Sequence, residues 1–499
     1  MIADPAQSAG EGRRPPPASD LLQRFLVDPS SRRFGPVGRV MLAGSPRRLL
    51  RLSDAGAAIL DRIGAGGAVE RSPARDALVR RLVDAGVLHP DPTGGGAASG
   101  ADVTLVVPVR DRAAGLASLL DTVLAVDDGP VSVVVVDDGS ADPEAVRAVV
   151  GRASSTARAS TARRVAIEVV RHERTRGPAA ARNTGLRHVR TPLVAMVDSD
   201  CRVEPDWLAP LLALFTDPGV GLVAPRVRSR EVGRDGIAGV LADYEVLRSP
   251  LDLGRHRARV APSSPVSYVP SAAVLARVEV LSELGGFDER MSTGEDVDLV
   301  WRLIDEGHTV RYEPISAVDH EPRTSLPAWL AQRVGYGRSA AALDRRHPGR
   351  VAPVVVGRWS AVVWGLVAVG APLPACAVIA ASAVGVVRST PDLPTRTAAG
   401  VALGGHIAAG RQLARAMVRE WWPLAAGLSL FSRRARRLLA LAACVSVVHA
   451  WRSGTDRARP ELSLPAFAAL AVLDDVAYGA GVWIGCVEQR SFRVLMPRG

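Results

Sequence analysis

The apolar positions along the chain fall into three successive patterns. Between residues 20 and 92, apolar residues at Ala57, Ile59, Leu60 and Ile63 recur at helical spacing behind Ser53, a residue type that caps helix starts. A second helical stretch, ARDALVRRLVDAGVL, ends at Gly86, and Arg39–Met41 reads as a short strand. Short strands with small helices predict a winged-helix-like module over 20–92. Residues 1–19, rich in Pro, Gly and Ser, predict a disordered tail, and TGGGAASGA at 93–101 predicts a flexible linker.

From residue 102 the pattern changes. ADVTLVVPV, VSVVVVDDGS, VAIEVVR and PLVAMVDSD read as strands, and RAAGLASLLDTVLA, DPEAVRAVVGR and GPAAARNTGLRHV as the helices between them. Continuous Val/Ile runs belong to strands covered on both faces, so the alternation predicts an α/β domain with a parallel sheet over 102–350. ASSTARASTAR (153–163) reads as an exposed low-complexity loop.

Beyond residue 350 the chain turns apolar. Residues 360–387 are long enough to cross a bilayer, which takes about 20 residues, with Pro372 and Pro374 placed to kink or split the run. Residues 421–431, 438–451 and 464–487 are shorter or interrupted, the last by Asp474 and Asp475, and suit helices lying on a membrane as well as crossing it. The cluster RRARR (433–437) fits a cytoplasmic flank. The expectation for 351–499 is a set of membrane-associated helices at the cytoplasmic face, with lipid as a partner.

Composition narrows the function classes. The net charge is +11 and every basic residue is arginine, which suits contact with phosphates or an anionic surface. Aromatic content of 4%, without zinc-finger spacing or a basic recognition helix, argues against a nucleic-acid partner. The cysteines Cys201, Cys376, Cys444 and Cys486 are scattered, which argues against a disulfide framework or a zinc site and for a reducing compartment. The first residues carry no apolar run of the kind a signal peptide has, so the bulk of the chain is expected in the cytoplasm.

In open α/β sheets the ligand sits beyond the carboxyl ends of the strands. Polar residues gather at three such ends: Pro108–Arg112, Asp137–Ser140 and Asp198–Asp200. In VDSD, Asp198 and Asp200 suit a divalent cation bound to a diphosphate, because hard cations take carboxylate oxygens. A lone acidic turn would explain them as well; two further acidic strand ends shift the balance towards a site. In DDGS, Asp138 either accepts from a base-edge N–H or closes an ordinary turn. In PVRDR the backbone either opens beneath a nucleotide or starts a helix. In RTRGPAAARNTGL, Arg176 or Arg182 either meets phosphate at a helix start or is a surface arginine. MSTGEDVDLVWRL puts Glu295 and Asp296 in the first turn of a helix, where acids are favoured by the dipole alone. The catalytic reading has Asp296 taking the proton of an attacking hydroxyl. His320, in VDHEP, is a metal ligand, a diphosphate contact or a structural histidine.

The ordered set PVRDR, DDGS, RGPAAARNTGL, VDSD, SAAVLARVEVLSELGGFDER and GEDVDLVWRL resembles the family 2 glycosyltransferases over roughly 102–325. That resemblance implies the GT-A fold, a Rossmann-like mixed sheet that binds nucleotide-diphospho-sugars. It also implies Mg2+ or Mn2+ and inversion at the anomeric carbon. By motif it assigns Pro108, Val109, Arg110, Asp138, Arg176, Asp198 and Ser199 to the nucleotide-sugar, Asp200 and His320 to the metal, and Asp296 with Glu295 to catalysis. Val109–Arg110 stands where the family has an aromatic residue and Asn. The Gln-x-x-Arg-Trp motif of processive members is absent, QRVGYGR (332–338) being a loose echo, so processivity stays open.

SDAGAAILDRI and LVRRLVDAGVLHPDP resemble a PqqD-like peptide-binding module. Such a module, a family 2 domain and an apolar tail, in that order, resemble the glycosyltransferases of mycofactocin systems. That group adds β-linked glucose units to a peptide-derived redox cofactor. The resemblance implies a UDP-sugar donor, UDP-glucose above all, and premycofactocin as acceptor. A membrane family 2 enzyme for exopolysaccharide or glycolipid is the alternative.

Overall fold

The computed structural model describes residues 22–34, 38–45, 47–70, 72–94, 98–159, 164–230, 236–458 and 461–498. It divides into two compact units between Asp91 and Pro92. The expected tail lies outside the described residues, as do 95–97 of the glycine stretch. The end of that stretch is ordered: Ser99 and Asp102 form a capping box, and Gly100 packs against the Gly129 carbonyl so closely that a side chain there would collide.

The first unit is a small helix–sheet module. Arg32–Phe34, Val40–Ala43 and Arg48–Arg51 form an antiparallel sheet. Helices α1 (Asp54–Gly64) and α2 (Pro73–Asp84) each start on a serine: Ser53 Oγ accepts from the Gly56 N–H at 3.2 Å and Ser72 Oγ from the Arg75 N–H at 3.4 Å. Leu60, Ile63, Val79, Leu82, Met41 and Leu88 close its core.

The second unit is built on a nine-stranded sheet. Its elements run β1 (Val103–Val109), α3 (Ala113–Leu124), β2 (Ser132–Asp138), α4 (Pro143–Ala159), β3 (Ala166–His172), α5 (Pro178–His188), β4 (Leu193–Val197) and β5 (Cys201–Val203). There follow β6 (Val220–Ser229), α6 (Gly236–Arg248), β7 (Ala258–Arg259), β8 (Ala273–Arg277), α7 (Val278–Glu283), α8 (Glu295–Asp305) and β9 (Thr309–His320). The order across the sheet is β3-β2-β1-β4-β8-β6-β9-β5, with β7 beside β9. The first four strands are parallel, as the βα alternation predicts; β8 runs antiparallel to β4 and β6, so the whole is mixed. Alternate residues of β1 serve two cores: Leu105 and Val107 pack under α3 and α4, Val106 under α5 and α8.

The expected loop at 153–163 is a correction. Residues 153–159 continue α4, because Ala153 and Ala157, one turn apart, are buried in the same core as Val149 and Val150. Residues 160–163 lie outside the described residues.

The helices that follow are α9 (Leu326–Arg346), α10 (Arg358–Val369), α11 (Pro372–Ser389), α12 (Thr395–Val418), α13 (Trp422–Phe431), α14 (Arg433–Thr455) and α15 (Leu464–Glu488). The run at 360–387 splits at left-handed Gly370, two residues before Pro372. Among the described residues three helices are long and apolar enough to cross a membrane: Pro372–Ser389, Arg433–Thr455 and Leu464–Glu488. The third packs along α9, where Gly337 meets the Tyr478 carbonyl and Gly481 the Val334 carbonyl with no room for a side chain. Its two acids are buried and paired: Asp474 accepts from Tyr244 Oη at 2.8 Å and lies 3.2 Å from Arg333 Nε, while Asp475 accepts from Arg248 at 2.8 Å and Arg419 at 2.7 Å. The interruption in the apolar run is therefore the face that packs against α6, α9 and the end of α12. Leu373, Leu430 and Phe431, by contrast, are exposed.

Candidate active site

Neighbouring parallel strands bring the acidic motifs to one edge of the sheet. β1 ends at Val109, level with Asp137 of β2, and β4 continues into Asp198–Asp200. Asp138 is buried, and its two oxygens accept from His172 Nδ1 at 2.8 Å, the Arg176 N–H at 2.8 Å, Thr175 Oγ1 at 2.7 Å and the Gly177 N–H at 2.9 Å. Burial alone would raise its pKa, but these hydrogen bonds hold the carboxyl below its usual value. Asp138 thus fixes the loop that opens α5. Gly139 must be glycine, since φ is +74° and a Cβ would lie 2.6 Å from the Thr175 nitrogen.

The β1 end is held by a strained residue. Asp111 has φ +53°, and is kept there by the Ala141 N–H donating to its Oδ1 at 2.7 Å and its own N–H donating to Ser140 Oγ at 3.0 Å. Just before it, Pro108 and buried Val109 end the strand, and Arg110 reaches out to Thr175 Oγ1 at 3.3 Å. Arg176, half-exposed, pairs with Glu289 at 2.8 Å.

Arg182 ties the site together. Buried on α5, it donates to Asp198 at 2.7 Å and to Glu295 at 3.1 Å. Glu295 and Asp296 open α8 behind Gly294, which adopts φ +82° and has Ser339 Cβ 3.0 Å from where its own Cβ would be. Burial, then the neighbouring Asp296, raise Glu295 to about 7, and Arg182 opposes this. Burial also raises Asp296, which accepts from the Ser271 N–H at 3.3 Å. Ser199 is buried between Asp198 and Asp200.

Asp200 lies among three cationic or imidazole groups: Arg112 at 3.2 Å, His320 Nε2 at 3.5 Å and Arg323 at 3.8 Å. β5 pairs with β9 so that Cys201 faces His320, which places the imidazole over the DSD turn. These contacts are longer than the Asp198–Arg182 bond. The carboxylate and imidazole fit a Mg2+ or Mn2+ that takes its remaining ligands from phosphate and water. Among the described residues no three His, Cys, Asp or Glu side chains converge as a self-sufficient metal cage. Such a site needs the substrate to complete it.

Asp198, Asp200, Glu295, Asp296 and His320 all line one cleft of about 1220 Å³. Pro108, Val109, Arg110, Asp138, Arg176 and Ser199 do not line it and stay at the adjoining strand ends. The cleft also has walls that sequence reasoning did not assign: Tyr268, Tyr336, Arg323 and Arg333 beside the sheet, and Arg411, Arg415, His449 and Tyr478 from α12, α14 and α15. Arg333 and Tyr336 belong to QRVGYGR, whose echo of an acceptor-site motif assigned no residue; the others are marked only by the fold of the C-terminal helices over the sheet.

Residues 104–285 match the family model described as glycosyl transferase family 2. Over 469 residues, 92% of this chain and 94% of the relative, the sequence is 41% identical to the pre-mycofactocin glycosyltransferase of Mycobacterium tuberculosis. It is 28% identical over 226 residues to the succinoglycan biosynthesis protein ExoU of Rhizobium meliloti, covering 44% of this chain and 61% of that protein. Among solved structures, the Pyrobaculum calidifontis mannosyltransferase PcManGT, in complex with GDP-Man and Mn2+, aligns over 72% of this chain and 89% of its own, with 20% identity and a TM-score of 0.38. The chain belongs to the family of the pre-mycofactocin glycosyltransferases, within glycosyltransferase family 2, and is a glycosyltransferase.

Proposed function

We propose that the protein transfers glucose from UDP-glucose to a hydroxyl of a pre-mycofactocin-type, peptide-derived acceptor, with inversion, and repeats the transfer to build a β-linked oligosaccharide. The observation that carries this reading is Asp296, a half-buried acid with a raised pKa that faces the same cleft as Asp200 and His320. The acceptor oxygen attacks the anomeric carbon, the bond from that carbon to the diphosphate oxygen breaks, and the hydroxyl proton passes to Asp296. Its raised pKa makes it a better base than an exposed carboxylate. Glu295 and Arg182 set the charge around it. Asp200 and His320 would hold Mg2+ or Mn2+, whose charge stabilises the departing diphosphate. Arg112 and Arg323 add positive charge at that end. Pro108, Val109, Arg110, Arg176, Asp198 and Ser199 form the nucleotide side, and Asp138 serves it by holding Thr175–Gly177 in place.

The first unit acts, on this reading, as a PqqD-like module that presents the peptide-derived acceptor. The exposed apolar side chains of α11 and α13, next to Arg433–Arg437, support docking on anionic lipid at the cytoplasmic face. A UDP-release assay on the purified chain tests the donor and metal assignments. UDP-glucose should be turned over with Mg2+ or Mn2+, stop with chelator, and fail in Asp200→Ala. Undiminished turnover in chelator rejects the metal role.

A further inference from the structure

Helix α12 and its C-cap carry Arg411, Arg415 and Arg419 at intervals of four residues, and all three line the cleft. Arg419 is neutralised: it bonds Asp475 at 2.7 Å, lies 3.6 Å from Glu420, and sits over the Tyr478 ring at 3.5 Å from its centroid. Arg411 and Arg415 make no ion pair or hydrogen bond among the described residues, and both reach into the cleft's solvent. The Arg419 charge beside it holds Arg415 below the ordinary guanidinium value. His449 of α14 borders the same part of the cleft, again with no hydrogen-bond partner among the described residues.

A stack of like charges on one helix face opposes itself, and here the nearby acids Asp475 and Glu420 are already engaged by Arg419. A pair of guanidinium forks that face a cleft without ion-pair partners is matched by a tetrahedral oxyanion, which accepts two parallel hydrogen bonds from each fork. We propose that Arg411, Arg415 and His449 form a phosphate-binding subsite in the acceptor half of the cleft, separate from the diphosphate end at Asp200, Arg112 and Arg323. Loss of solvent and then Asp296 raise the pKa of half-buried Tyr268, while Arg419 and Arg415 oppose this, so the arginine face and the base lie within electrostatic reach of one side chain. The phosphate has two sources. It is carried either by a soluble acceptor or by a lipid headgroup. The lipid route is open because the outer faces of α12 and α14 expose Leu403, Ile407, Leu441 and Val448.

That the subsite serves an acceptor rests on the transferase reading above; phosphate binding itself does not, so the two fail separately. The test is calorimetric titration of the full-length protein with inorganic phosphate, with UDP as the control ligand, for wild type and for Arg411→Gln/Arg415→Gln. We expect phosphate to bind wild type, its Kd to rise at least about tenfold in the double variant, and UDP affinity to stay unchanged. His449→Gln, which leaves the arginines in place, should weaken phosphate less and provides a second reading if the double variant does not fold. Vesicles of phosphatidylcholine with and without phosphatidylglycerol separate the sources. A headgroup source predicts phosphatidylglycerol-dependent binding that the double variant loses; a soluble source predicts that only the inorganic phosphate titration changes. The proposal is overturned if phosphate does not bind wild type, or binds the double variant equally well.

Discussion

Replacing Arg182 with methionine keeps most of the side chain's volume and removes its charge. In the wild type the guanidinium bonds Asp198 at 2.7 Å and Glu295 at 3.1 Å, and its charge also favours ionised Asp296. Without it, three carboxylates face one another at the edge of a cleft. Leaving buried charges without their partner costs roughly 3–5 kcal/mol, limited by how readily the acids take up protons instead. Arg182 opposes the rise of both Glu295, at about 7, and Asp296, so both acids titrate at still higher pH in the variant. The sign follows. Below neutral pH Glu295, at about 7 in the wild type, takes up a proton and relieves part of the repulsion, so the loss is smaller at pH 6 than at pH 8.5. For a unit of roughly 400 residues, about 2.1 cal/mol/K of unfolding entropy per residue converts 3–5 kcal/mol into a drop of roughly 4–6 °C. Thermal unfolding of both proteins at pH 6 and pH 8.5 measures it. An Arg182→Met protein with wild-type Tm at both values, or one hurt more at pH 6, would refute the account of this cluster.

Asp296→Asn should lower the transfer rate by about 10²–10⁴-fold with the fold retained, as circular dichroism would show; near-normal turnover removes Asp296 from the base role. Because the two first-turn acids must lose protons for one to accept another, kcat/KM should rise through neutral pH, with apparent values belonging to the Glu295–Asp296 pair. Gly481→Val drives a side chain into the Val334 carbonyl and should destabilise the α9–α15 seam by 1 kcal/mol or more, read by denaturant midpoint; Gly427→Val, where a Cβ meets nothing within 4 Å, is the control. Leu430→Ser/Phe431→Ser should shift the protein from the membrane pellet towards the soluble fraction while UDP release continues; unchanged partition would separate membrane binding from α13.

The sequence made the chemistry legible where it sits at strand ends and helix starts. Asp198, Asp200, Glu295, Asp296 and His320 come from three separate stretches, and the structure gathers them around one cleft. The parallel half of the sheet was legible because a βα unit writes its period locally; the antiparallel strand β8 carries no such signal, since its partners β4 and β6 are distant in sequence. Arg182 was open between phosphate contact and surface arginine. Its bond to Glu295 spans 113 positions, and nothing local in RNTGL announces it. The loop expected at 153–163 failed because Ser and Thr masked the four-residue spacing of Ala153 and Ala157, which tertiary burial turns into helix. Helix α12 falls within the helical region expected over 351–499 but matches none of its apolar runs, since His406, Arg411 and Arg415 interrupt its pattern. Two of those interruptions, Arg411 and Arg415, put basic groups into the cleft.

The central claim is transfer of glucose to a peptide-derived acceptor. Mass spectrometry of the products formed by the purified full-length protein, with UDP-glucose, Mg2+ or Mn2+, and a pre-mycofactocin-type acceptor, tests it most directly. The account predicts a ladder of hexose additions that vanishes in Asp296→Asn. UDP release with no hexose on that acceptor, and transfer instead to lipid or polysaccharide, would contradict it.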